Sequence, residues 1–161
     1  MTPRNGNEVS LTRRDTLRLG AGFMLVALAP LPAVASDDET AAAIRGIFGE
    51  VTAKEGRIEV TLPSLAETGN SVPLTVTVDS PMNEDDRVLR VAVFANRNPR
   101  PLIATMFFGA NAGKASFNTN IRLSGTQDVI VMAEMSDGAV WQTQKRVMVT
   151  VGACDTLQTR F

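Results

Sequence analysis

The sequence predicts an all-β chain: an immunoglobulin-like β-sandwich of about seven strands. A short N-terminal helix precedes the sandwich, and a C-terminal arm bearing a cysteine follows it. Three observations predict this. From Ile58 onward apolar and polar residues alternate with period two rather than at helical spacing. Turn signals rich in Gly, Pro, Asn and Asp interrupt that alternation roughly every 8–15 residues. The last regular run, Val147-Met148-Val149-Thr150-Val151, stops at Gly152, and Cys154, the single cysteine of the 161-residue chain, comes just after it.

Composition bounds the chemistry. The chain has no histidine and no tyrosine. That excludes a Ser-His-Asp triad, a Cys-His pair and a His-ligated zinc. No metal site and no resident cofactor is expected. A net charge of −1 leaves no electrostatic footprint for nucleic acid.

Residues 1–35 read as an export signal. A polar start carries the pair Arg13-Arg14, an apolar tract runs from Leu19 to Leu31, and Ala33-Val34-Ala35 supplies an A-x-A cleavage pattern. The tract is shorter than the roughly 20 apolar residues of a transmembrane helix, so no membrane anchor is expected. The paired arginines and weakly apolar tract resemble a twin-arginine signal. The alternative is an ordinary Sec signal whose arginines happen to be adjacent. Export places the mature protein in the periplasm. Without residues 1–35 the chain carries a net charge of −3 and a single cysteine, so it has no internal disulfide. A lone thiol in an oxidising compartment points to an intermolecular bond or a reactive group.

The domain itself is expected over residues 36–151. Ser36-Asp37-Asp38-Glu39 fits a capping box, and Ile44, Ile47 and Phe48 form an apolar stripe on a helix ending at Gly49. That stripe must cover either its own domain or a partner. Strands are predicted near 57–62, 72–79, 87–95, 101–108, 115–123, 127–134 and 139–151. Between the last two, Ser136-Asp137-Gly138-Ala139 predicts a type I′ hairpin turn. The final strand places Trp141, Thr143, Lys145, Val147, Val149 and Val151 on one parity. A bulge or sheet switch near Lys145 would reconcile its polar middle with its apolar end. Trp141 is expected in the core or at a sheet edge.

Other constellations have plainer readings. Glu84-Asp85-Asp86 lacks the alternating spacing of a calcium loop and reads as a solvated turn. Arg97 and Arg100 read as a polar loop rather than an anion site. Gly109 and Gly113 form no phosphate-binding fingerprint. The methionines scatter through strands as core fillers.

Cys154 is the remaining chemistry-bearing residue. A free thiol ionises near pH 8.5, and Asp155 beside it opposes thiolate formation by like-charge repulsion. A free cysteine in residues 152–161, beyond the last strand, can act as a nucleophile or as a covalent attachment point. The competing reading is a buried, inert cysteine, which its position seven residues from the C-terminus disfavours.

Several blocks resemble SoxY, the sulfur-carrier subunit of the periplasmic thiosulfate-oxidising (Sox) system. They are A-A-I-R-G-I-F-G, K-E-G-R-I-E-V-T-L-P, E-T-G-N-S-V-P-L-T-V-T-V-D-S-P-M and D-G-A-V-W…V-M-V-T-V-G-A-C, in order over about 115 residues from Thr40 to Gly152 and on into the arm. The resemblance implies a sandwich that pairs with a SoxZ-like subunit and has no catalytic machinery of its own. It implies covalent sulfur attachment at Cys154. A haem enzyme (SoxAX) would conjugate thiosulfate there, and a hydrolase (SoxB) and a sulfane dehydrogenase (SoxCD) would work on the product. In the family the cysteine lies in a terminal G-G-C-G-G. The resemblance thus makes residues 152–161 a carrier arm with Gly152 as its hinge, while Ala153 and Asp155 replace the adjoining glycines and T-L-Q-T-R-F extends the chain.

Three further readings stand beside the carrier. In the first two the fold serves a binding or assembly role, or carries substrate for a non-Sox pathway, with Cys154 not a thiosulfate site. In the third, Cys154 links a covalent homodimer.

Overall fold

The computed structural model describes residues 37–152. The signal-peptide reading, the Ser36 cap and Cys154 lie outside the described residues.

The predicted helix is α1, Asp37–Phe48, and nine strands follow it: β1 Lys54–Glu55, β2 Ile58–Thr61, β3 Leu65–Thr68, β4 Val72–Val78, β5 Val88–Ala95, β6 Leu102–Phe107, β7 Ala115–Ile121, β8 Gln127–Met135 and β9 Val140–Val151. Seven of these match the expected strands. The additional two, β1 and β3, are short pieces laid parallel along β9. One sheet has the order β1-β9-β8-β5-β6, with β3 also on β9, and the second has the order β2-β4-β7.

Period-two patterning puts the core between the sheets. Val72, Leu74, Val76 and Val78 of β4 meet Val91 and Val93 of β5 and Val129, Val131 and Ala133 of β8, all buried. β5 and β8 are also buried on their outer face. There α1 lays Phe48, Ile44 and Ile47 over Ala92, Phe94, Met132 and Val140, so the helix stripe covers its own domain. Arg90 pins this layer. Its Nη2 donates to the Ile47 carbonyl at 2.7 Å, it pairs with Glu134, and its guanidinium lies 5.1 Å from the Phe48 ring centroid. A cation on a terminal carbonyl also suits the negative end of the helix. Gly49, at φ +75°, ends the helix with its N–H on the Arg45 carbonyl at 2.8 Å.

Two local expectations are corrected. The 136–139 turn is not type I′, which needs positive φ at both central residues. Only Gly138 has it, at +80°, and its N–H donates to the Met135 carbonyl at 3.1 Å. This is a three-residue turn closed by a left-handed glycine. There is also no bulge at Lys145, because the β8–β9 register runs unbroken from Glu134↔Val140 to Gln127↔Val147. What changes is the partner on the other edge of β9. β1 pairs at Trp141 and Gln142, and β3 pairs from Met148 onward. Between them Thr143 and Lys145 line an open cleft of about 760 Å³, shared with Arg57, Glu59, Thr61 and Lys114. Their polarity follows from facing that cleft. Trp141, just before it, packs against the core with Lys54 and Arg57 each 5.7 Å from its ring centroid.

The acidic run behaves as a turn. The Asn83 side-chain oxygen accepts from the Asp85 and Asp86 N–H groups at 3.1 and 2.7 Å, and Asp86 pairs with Arg57 at 2.5 Å. That hydrogen bond shifts the Arg57 pKa upward against the opposing cost of burial.

Two loops close the end of the sandwich near Val151 around one buried amide. Gln127 is 1% exposed. Its Nε2 donates to Asn98 Oδ1 at 2.9 Å and its Oε1 accepts from the Arg97 N–H at 2.9 Å. Asn98 Oδ1 also accepts from the Ser124 N–H, and Asn98 Nδ2 donates to the Arg122 carbonyl at 2.8 Å. The Arg97–Arg100 loop is therefore structural at its backbone.

Two outcomes are expected in denaturant titrations. Leu74→Ala empties a fully buried position and costs about 2–5 kcal/mol. Asn98→Ala strips Gln127 of its main acceptor and costs about 1–3 kcal/mol, the penalty of an unsatisfied buried donor.

Candidate functional site: the root of the cysteine-bearing arm

The candidate site is where the chain leaves β9. Along β9 the odd-numbered side chains emerge from the core in order: Val147 is fully buried, Val149 half-buried and Val151 46% exposed. The strand thus runs past the edge of the core before it stops.

It is held on both sides as it does so. On one side lies β3, with Leu65↔Met148, Ala66↔Val149 and Thr68↔Val151 in parallel register. The Met148 N–H donates to the Ser64 carbonyl at 2.9 Å, and the Gly69 N–H donates to the Val151 carbonyl at 2.8 Å. On the other side β8 ends at Gln127, opposite Val147. There a side chain takes over from the ladder. Thr126 Oγ1 accepts from the Val149 N–H at 3.0 Å and sits 3.4 Å from the Val149 carbonyl oxygen. The Leu123 N–H, donating to the Gly69 carbonyl at 2.8 Å, joins the two flanking loops. Each extra hydrogen bond holds backbone that would otherwise fray at a strand terminus.

Gly152 follows Val151 directly and is buried. The chain is thus fixed up to the residue expected to act as hinge. Cys154 lies outside the described residues. It is three residues past Val151, so its Cα is at most roughly 11 Å from that of Val151.

Sequence reasoning did not find Thr126, Ser64 or Gly69 as supports of the arm. Thr126 sits in the turn S-G-T, which signals a loop and nothing more. Among the described residues no three His, Cys, Asp or Glu side chains cluster to hold a metal ion, and no helix is long and apolar enough to cross a membrane. What the arrangement offers is a strand end held on both sides up to Gly152.

Comparisons with known proteins bear on this geometry. No curated protein is similar enough to match. Among solved structures, the sulfur carrier protein SoxY from Chlorobium limicola is similar over 72% of this chain and 100% of its own, with 24% identity and a TM-score of 0.61. A superoxide reductase (neelaredoxin) from Ignicoccus hospitalis is similar over 73% of this chain and 95% of its own, with 11% identity and a TM-score of 0.51. These likenesses speak to the fold alone. The family model of the sulfur oxidation protein SoxY matches residues 44–154, a span that begins in α1 and ends on Cys154 itself. The chain belongs to the SoxY family.

Proposed function

We propose that this protein is a periplasmic carrier of sulfur compounds that holds covalent intermediates on Cys154 while separate enzymes act on them. The observation that carries the reading is the family match running through to Cys154, together with a strand anchored on both sides up to Gly152. The carrier is not itself an enzyme: the chain has no histidine, and no acid–base pair is recognisable beside the thiol. Export by the twin-arginine-type signal in residues 1–35 delivers it to the periplasm.

Loading forms a bond between the Cys154 sulfur and the terminal sulfur of thiosulfate. The thiol loses a proton, two electrons pass to a haem enzyme of the Sox type, and a cysteine S-thiosulfonate results. Hydrolysis by a partner hydrolase consumes one water, releases sulfate and leaves a persulfide on Cys154. A sulfane dehydrogenase then oxidises the outer sulfur to a sulfonate, taking up three waters and passing on six electrons, and a second hydrolysis consumes one water, releases sulfate and returns the bare thiol for another cycle. A SoxZ-like subunit completes the carrier as a heterodimer. Gly152 is the pivot from which the arm reaches these enzymes.

Asp155 tempers the reading. It places a carboxylate beside the thiol that must meet an anion. At about 5 Å in water such a repulsion is worth about 1 kcal/mol, or a factor of about five in rate. This residue and Ala153 favour a carrier tuned to a substrate less charged than thiosulfate as the second reading.

Two results are expected. In cells that depend on thiosulfate oxidation, Cys154→Ser abolishes growth-linked oxidation while leaving the melting temperature unchanged; full activity of this variant would assign the protein a binding role instead. Asp155→Gly raises the rate of loading by thiosulfate about threefold to tenfold in a stopped assay with the haem enzyme. The gain shrinks as salt screens the charge. An unchanged rate would point to the second reading.

A further inference from the structure

β9 outruns the sheet that carries it. Its ladder with β8 stops at Gln127↔Val147. Beyond that point its strand partner is β3, and β3 in turn pairs with no described strand but β9. Residues 65–68 and 148–151 therefore form a two-stranded parallel ribbon that overhangs the body of the sheet. Two short strands alone are marginal in water, and parallel pairing is the less stable kind per residue. Side-chain burial adds little: Leu65, Met148 and Val151 are exposed, and of the ribbon's apolar residues only Ala66 and Val149 pack on the core.

The segment 123–126 ties this ribbon back on both of its strands. The Leu123 N–H donates to the Gly69 carbonyl at 2.8 Å, at the end of β3. Thr126 Oγ1 accepts from the Val149 N–H at 3.0 Å, on β9. The segment is itself anchored. Leu123 is fully buried, the Ser124 N–H donates to Asn98 Oδ1 at 2.9 Å, and the buried Gln127 amide beside Thr126 bonds Asn98 and the Arg97 N–H. The Leu123 tie is main-chain and survives any ordinary substitution there. The Thr126 tie is a hydroxyl, which a valine of nearly the same shape lacks.

A group on a tether reaches a partner's pocket at an effective concentration set by the volume it samples. If the root of the tether swings, that volume grows and the time spent in the pocket falls. Val149 is five residues before Cys154, so looseness of the ribbon adds to whatever freedom the arm already has.

We propose that Thr126 is a positioning residue for the chemistry at Cys154. By holding Val149 it fixes the overhanging ribbon, and the ribbon fixes where the chain sets out toward the thiol. The loading role rests on the carrier reading; the mechanical role does not.

The test uses the full chain with Thr126→Val, which deletes the hydroxyl and keeps the branched shape, and Thr126→Ser, which keeps the hydroxyl. Amide hydrogen exchange needs no enzyme. In Thr126→Val, exchange is expected to quicken about tenfold or more at Val149 and also at Met148 and Gly69, whose N–H groups bond within the ribbon, with Val129 and Val131 of β8 unchanged. Loading of Cys154 from thiosulfate by the Sox-type haem enzyme is then followed by intact mass. Thr126→Val is expected to lower kcat about threefold to tenfold while KM for the carrier stays within about twofold. Alkylation of Cys154 by iodoacetamide, which is small and needs no docking, should keep the wild-type rate. Thr126→Ser should restore both exchange and loading. If Thr126→Val fails to fold, Thr126→Ala replaces it. Exchange that quickens at Val149 alone, or equal loading of the wild type and the folded variant, would overturn the proposal. So would alkylation slowed in step with loading, since that places the change in the thiol itself. A wild type that is never loaded would overturn the carrier reading and the loading role together, and a ribbon that still loosens in exchange would mark that case.

Discussion

The structure depends on the pairing of β9. On one side it runs in unbroken antiparallel register with β8 from Val140 to Val147. On the other it takes two separate parallel partners, β1 near its start and β3 near its end. Where β8 stops, Thr126 continues the bonding at Val149. A twelve-residue strand therefore keeps backbone partners up to Val151 although the core ends near Val147. Cooperative hydrogen bonding on both sides separates a fixed mount from a fraying terminus. A lone thiol three residues further on gains a defined point of departure.

The fold was legible where burial leaves a period. β4 reads V-P-L-T-V-T-V and alternates with no exception. β5 and β8 are less regular, because the helix buries their outer faces, and Ala92, Phe94 and Met132 are apolar for that reason. β1 and β3 were not legible. They are two and four residues long, and their partners lie 87 and 83 residues away in sequence. No local pattern encodes such pairing. The turn at Gly138 was placed correctly and typed wrongly, since Asp-Gly satisfies both a type I′ turn and a type I turn closed by glycine. Gln127 looked like the polar start of a strand. Its burial depends on loops at 96–98 and 122–126 meeting only in the folded state. Of the candidate site, Cys154 stands out by its position and by being the single thiol, and lies outside the described residues. Ser64, Gly69 and Thr126 were not, because turn residues carry no mark of what they support.

The most direct measurement is the intact mass of the native protein purified without reductant from cells oxidising thiosulfate, followed by peptide mapping. The account predicts a population carrying thiosulfonate or persulfide sulfur, confined to the peptide with Cys154 and removed by thiol reductant. A uniformly bare Cys154 under those conditions would contradict it.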